Sequence, residues 1–230
     1  MKLVHPLFLA VFATALVGFQ AEDTYTLRQK PVKDTVEIYQ TTIHASTEEG
    51  DFIYDVKDKT KVTKVEDDGA YEAETTVLGG KITIGGEEHV IDPDDAPKTE
   101  KYDKDGNKIK DAGDDDEDED DPVSQVFQQY FDFRPDKAVK VGDTWTHESD
   151  FGTLKLKLEG KEKVGDVECL KVTATGTLSK KDATGDATGT FYLRVADFSP
   201  EKVEATIDNP SFGEGQSMKK IEIKLVRVAE

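Results

Sequence analysis

Between Tyr25 and Ile91 the apolar side chains recur at every second position: Val36 and Ile38 with Tyr39 opposite, then Phe52, Tyr54 and Val56, then Tyr71, Ala73, Thr75 and Val77, then Ile82 and Ile84. A period of two puts such residues on one face of an extended chain, so the region predicts amphipathic antiparallel strands. The breaks carry turn chemistry: EEGD before Phe52, EDDGA before Tyr71, LGGK before Ile82 and IGGEE after Ile84. Connections this short predict that successive strands are neighbours in a meander. The same rhythm returns later. Leu154, Leu156 and Leu158 alternate with Lys155, Lys157 and Glu159, and Gly165 and Asp166 mark a turn. Leu170, Val172 and Ala174 follow, then Phe191, Leu193 and Val195, then Val203, Ala205 and Ile207. Ile221, Ile223 and Leu225 close the series, with a bulge expected before Val228.

One stretch has a different period. Val123, Val126, Phe127, Tyr130 and Phe131 are spaced i, i+3, i+4, i+7 and i+8, which gathers them on one side of a helix over about 121–132. Asp121 supplies an N-cap oxygen, Pro122 suits the first helical position, and Pro135 forbids continuation. The pattern as a whole predicts a mainly β (α+β) fold. Its centre is a large twisted antiparallel sheet of roughly ten or more strands, which at that number curls into a half-barrel or splits into two packed layers. The central helix is expected to pack on the concave face.

The ends and the charge add compartment to this picture. One Lys, an apolar run from Leu7 to Phe19 and small or polar residues before Glu22 predict a signal peptide over residues 1–21. Residues 22–230 then form a single β-rich domain, exported to the periplasm or the extracellular space, with no stable membrane anchor in the mature form. Within it, about 92–121 is expected to be a mobile acidic insert, because the run DDDEDEDD from Asp114 to Asp121 has no apolar face to bury and repels itself. The formal charge of -19 argues against nucleic acid and anionic membrane surfaces as partners. Cys169 is the only cysteine, so no intramolecular disulfide is available, and its place in VECLKV predicts a buried, inert thiol.

Motifs for chemistry are sparse. Asp103, Asp105 and Asn107 alternate as in a calcium loop, but Lys108 and Asp114 stand where that loop needs Gly and Glu. A hairpin turning at Asp105, Gly106 and Asn107, with Tyr102 and Ile109 on its arms, explains the same residues. No cofactor or metal site is predicted beyond weak calcium binding by the acidic loop. His44, His89 and His147 lack metal-ligand spacing, and HESDF lacks the second His of HExxH. Nucleophile elbows and phosphate-cradling glycine loops are absent from the sequence, which favours a non-enzyme and names no catalytic residue. Phe127, Tyr130, Phe131 and Trp145 are the candidate ligand-binding residues, with Trp145 better explained as a core anchor at a strand start.

The segment PDKAVKVGDTW, from Pro135 to Trp145, is followed by FGTLKLKLEG, VECLKV and TGTFYLRV. This arrangement resembles a group of exported, uncharacterised β-rich bacterial proteins that share a VGDxW segment. Its general plan is similar to lipoprotein-carrier proteins of the LolA type. The resemblance implies an open half-barrel wrapped around an apolar cavity, and it carries over no catalytic residues. Two functional expectations lead, with an exported hydrolase as the third. The first is an exported binding module holding a hydrophobic ligand or a protein segment on a curved sheet. The second is a structural or interaction protein of the cell envelope whose acidic loop contacts cations or a basic partner.

Overall fold

The computed structural model describes residues 23–47, 50–104, 106, 108–109, 134–135, 137–149, 152–180, 183–212 and 218–229. Among them are β1 (Thr24–Tyr25), β2 (Val36–Thr47), β3 (Asp51–Val65), β4 (Tyr71–Ile84), β5 (Glu87–Ile91), β6 (Lys98–Tyr102) and β7 (Lys108–Ile109). The second half contributes β8 (Val139–Lys140), β9 (Thr144–Ser149), β10 (Gly152–Val164), β11 (Val167–Lys180), β12 (Ala183–Arg194), β13 (Pro200–Phe212) and β14 (Met218–Arg227). Twelve of these form one antiparallel sheet in the order β7-β6-β4-β3-β2-β14-β13-β12-β11-β10-β9, with β5 also paired to β4. β1 and β8 make a separate two-stranded ribbon.

The chain enters this sheet in the middle. It runs outward by hairpins from β2 to the β7 edge, reappears at the opposite edge as β9, and returns by hairpins until β14 lies beside β2. That last pairing sets Ile221 against Ala45, Ile223 against Ile43 and Leu225 against Thr41. It joins the two meanders edge to edge, so they do not stack as two comparable layers, and the order of strands does not close. The large antiparallel sheet was expected; the split into layers is not what forms. No helix occurs among the described residues. The helix predicted over about 121–132, the signal peptide 1–21 and the acidic run 114–121 lie outside them.

Period-two patterning produces the core. Leu156, Leu158, Leu170, Val172, Phe191 and Ile207 are 0% exposed, whereas Lys155 and Lys157 point to solvent from the other face. Each such burial contributes about 1.5–3 kcal/mol relative to exposure. Tyr25, Leu27 and Val139 belong to the same cluster, so the β1–β8 ribbon and the residues after β1 cover part of this face. The predicted turns at Gly165–Asp166 and Gly85–Gly86 are present, with positive φ at all three glycines. The hairpin around Gly106 is present as β6 paired to β7, which places part of the expected acidic insert in the sheet.

Two sequence expectations need correction. LGGK is not a turn, because β4 runs unbroken through it and Gly79, at φ 118, lies beside a bulge against Lys57 and Asp58. A Cβ on Gly80 would stand 2.4 Å from the Asp55 carbonyl oxygen, so the second glycine serves close approach of β3 and β4. The bulge expected before Val228 is absent there. β14 pairs regularly through Arg227, the Val228 N–H continues to the Ile38 carbonyl, and the irregularity falls between Met218 and Lys220.

Candidate binding face

The two halves of the sheet treat one face differently. Registered across β9 to β14 and on to β2, β3 and β4 runs the row Trp145, Leu156, Ala174, Gly189, Ala205, Ile223, Ile43, Tyr54 and Ile82. Through β10 to β14 the apolar members of this row and its neighbours are sealed. On β3 and β4 they open: Phe52, Tyr54 and Ile82 are half-buried and Ile84, opposite Phe52, is 55% exposed. The result is an apolar face that is closed from β10 through β14 to β2 and partly open on β3 and β4.

Asp58 lies on the same face, half-buried itself, where its neighbours Val56 and Tyr39 are buried. Alternation along β3 puts it in phase with Phe52, Tyr54 and Val56, and the ladder sets it between Tyr39 of β2 and Val77 of β4. No cation or side-chain donor among the described residues meets its carboxylate. Burial therefore lifts the group to about 6, against the lowering effect of its own backbone N–H. The Tyr54 phenol is raised too, first by burial and then by the Asp58 charge.

A second polar cluster knits the base of the same sheet. The Arg227 guanidinium donates to Glu37 Oε1 at 3.0 Å and to Ser199 Oγ at 3.1 Å. Tyr39 OH reaches Glu37 Oε2 at 3.0 Å and the Pro200 carbonyl at 3.1 Å. Burial, then the Glu37 charge, pushes this phenol far above its ordinary range. Ser199, 1% exposed, donates to Asp197 Oδ1 at 2.6 Å. With a carboxylate and an arginine as its partners, this hydroxyl has no imidazole to activate it, and the cluster joins β2, β14 and the β12–β13 turn as a brace.

The opposite face carries a hollow of about 540 Å³ whose walls include Thr42, His44, Thr188, Thr190, Glu204 and Lys224. His44 stands 3.3 Å from Asp51 and 3.7 Å from Glu222. Lys220, and then His44, holds the Glu222 carboxyl below its usual range. Among the described residues no three of His, Cys, Asp and Glu gather closely enough to hold a metal ion. Cys169 is fully buried, and burial pushes its thiol up to about 11, as an inert structural cysteine requires.

Of the four residues proposed from sequence, Phe127, Tyr130 and Phe131 lie outside the described residues. Trp145 is on β9, half-buried against the core and opposite Leu156. In the ladder, β10 to β14 and β2 separate it from Tyr54 on β3. The surrounding VGD segment has a local structural cause. Asp143 accepts from the Lys140 N–H at 2.8 Å, Gly142 takes φ 91, and the Gly142 N–H and the Asp143 carbonyl bond to the Leu158 backbone. Val139 meanwhile enters the core. Sequence reasoning missed Asp58. The signal was available, since the phase of Phe52, Tyr54 and Val56 assigns the next alternate position to the same face.

The architecture is thus an open antiparallel sheet whose one apolar face is sealed from β10 through β14 to β2 and partly open at the Phe52, Tyr54, Ile82 and Ile84 end of β3 and β4. No protein-family model matches the chain, and no curated protein matches it in sequence. Among solved structures it is similar to a domain from Vibrio parahaemolyticus named for outer membrane lipoprotein sorting, over 87% of this chain and 86% of that one. Sequence identity is 8% and the TM-score 0.23, values that define no family for the chain.

Proposed function

We propose that this is an exported, non-enzymatic binding module that holds an apolar ligand on the face of β3 and β4. The observation that carries the reading is the change in exposure along one registered row, from sealed residues in β10 to β14 to half-open Phe52, Tyr54, Ile82 and Ile84. A contiguous apolar surface left partly open beside a completed core is the usual mark of an interaction site. In this reading Phe52, Tyr54, Ile82 and Ile84 are the seat of the ligand. On the same reading the ligand is released unchanged, since among the described residues the face brings no nucleophile together with an activating base: its carboxylates are Asp58 and Glu37, and Arg227 holds the second.

Purification under native conditions, extraction into organic solvent and mass spectrometry test the proposal. A co-purifying apolar compound, or saturable uptake of an environment-sensitive apolar dye that Tyr54→Glu abolishes in a folded protein, is expected. An empty protein that takes up no dye rejects it.

A further inference from the structure

We propose that the ligand of this face is a cationic amphiphile, whose ammonium or guanidinium group pairs with Asp58 while its hydrocarbon part lies along Tyr54, Phe52 and the Ile82–Ile84 strand. The inference rests on the binding reading above and adds the ligand's charge and orientation.

The argument begins with what surrounds the carboxylate. Lys57 and Lys59 flank Asp58 in sequence, but alternation sends both to the opposite face. From β2 the same face presents Tyr39 and Glu37; from β3, Tyr54; from β14, Arg227; from β4, Val77 and Thr75. Arg227 is the one cation in that set, and Glu37 and Ser199 already hold it. Tyr39 is directed to Glu37 and Pro200, and Thr75 lies 3.4 Å from Thr60. Asp58 therefore keeps its charge beside apolar surface without a counterion from the described residues. Its raised carboxyl records the same situation.

A half-buried, unpaired carboxylate is destabilising unless a cation or donors satisfy it. A ligand that brings its own cation converts that liability into binding energy. A neutral ligand would desolvate the carboxylate further, and an anionic one would add repulsion. Geometry sets the orientation. From Asp58 to Phe52 the strand extends about 20 Å, the scale of a long alkyl chain; along it Tyr54 and Phe52 are half-buried and open to a ligand, while Val56 between them and Asp58 is sealed in the core. The head is thus fixed at the Asp58 end and the tail runs toward Ile84, where the face is most exposed.

Isothermal titration of the full chain with three amphiphiles sharing a dodecyl tail tests the assignment, each below its micelle concentration. Dodecylammonium is expected to bind about tenfold more tightly than dodecyl maltoside, the scale of one partly desolvated ion pair, and dodecyl sulfate more weakly than either. Asp58→Asn is expected to abolish the ammonium preference and leave maltoside binding intact. Because the acidic chain attracts any cation, Asp186→Asn, on the outer face, serves as the control and should keep the preference. The preference should also shrink from pH 7 to pH 5 as Asp58 takes up a proton. Equal binding of the three amphiphiles, or a preference that survives Asp58→Asn, overturns the inference alone. Failure of all three to bind the unaltered chain overturns the binding reading as well.

Discussion

At the residue scale Asp58 makes a prediction independent of any ligand. Its carboxyl titrates at about 6 in the fold, against about 3.9 in an unfolded chain. Between those values the folded state holds a proton that the unfolded state has lost, so this group's contribution to stability declines as pH rises from about 4 to 6 and stays lost above. Asp58→Asn removes the dependence. Its urea midpoint is expected to exceed that of the unaltered protein at pH 7.5 and to match it at pH 4. Allowing for solvent screening of a half-exposed group, the gain is about 1 kcal/mol. Identical midpoints at pH 7.5 would show that the carboxylate is not desolvated. Glycine supplies a second test. A Cβ on Gly176 would stand 2.1 Å from the Thr153 carbonyl oxygen and 2.9 Å from Leu154 Cδ2, whereas one on Gly165 meets nothing within 4 Å but sits at φ 59. Gly176→Ala should therefore cost about 2–3 kcal/mol and Gly165→Ala about 1 kcal/mol, both read by denaturant unfolding. Gly176 was legible in the sequence only as a member of a strand, because its role depends on how close β10 comes.

At the element scale the strands themselves were the most legible feature. Leu154, Leu156 and Leu158 announce β10 because the burial of one face and exposure of the other are written directly into alternating residues. LGGK was misread as a turn because a glycine pair has the same chemistry in a hairpin and in a bulge; what separates them is the partner strand, here Lys57 and Asp58 of β3. The Gly-Asp step of the VGD segment was legible as a turn before a strand, and it leads the β1–β8 ribbon into β9. Invisible to periodicity was the brace of Glu37 and Arg227, which lie 190 residues apart. Their side chains are only 11% and 15% exposed, so removing one partner leaves a largely buried charge. Arg227→Met is expected to lower stability by about 3 kcal/mol, and Glu37→Leu with Arg227→Met to recover most of that loss. A double variant no better than the single would mean that Ser199 and Tyr39, rather than the ion pair, carry the brace.

At the scale of the whole molecule the charge of -19 sets the response to salt. Self-repulsion disfavours the compact state, and ions screen it over about 10 Å at 0.1 M. Added sodium chloride is expected to raise the thermal midpoint, even though it weakens surface pairs such as Lys81–Glu88 and Lys171–Glu162. A fall in the midpoint would make those pairs, and not net repulsion, the dominant electrostatic effect. The candidate face belongs to this scale too, since Phe52, Tyr54 and Ile82 read from the sequence as ordinary core positions. That they are half-open follows from the arrangement of the halves, which no local pattern encodes.

The pairing of β14 with β2 also governs the order of assembly. Every other strand of the large sheet meets a neighbour nearby in sequence, except where the chain passes from β7 to β9, so both meanders can form from hairpins alone. Until residues 218–227 dock, each meander has a bare edge of backbone donors and acceptors, on β2 and on β13, open to any passing strand. The seam is therefore expected to close last, since it joins strands from opposite ends of the sheet-forming chain. Ile223→Ala, at its centre, is accordingly expected to accelerate unfolding with little change in the folding rate, as interactions absent from the transition state do. A slowed folding rate instead would place the seam in the folding nucleus. In the interval before closure, aggregation competes with completion of the fold, and the speed with which the last strand finds the first decides the yield.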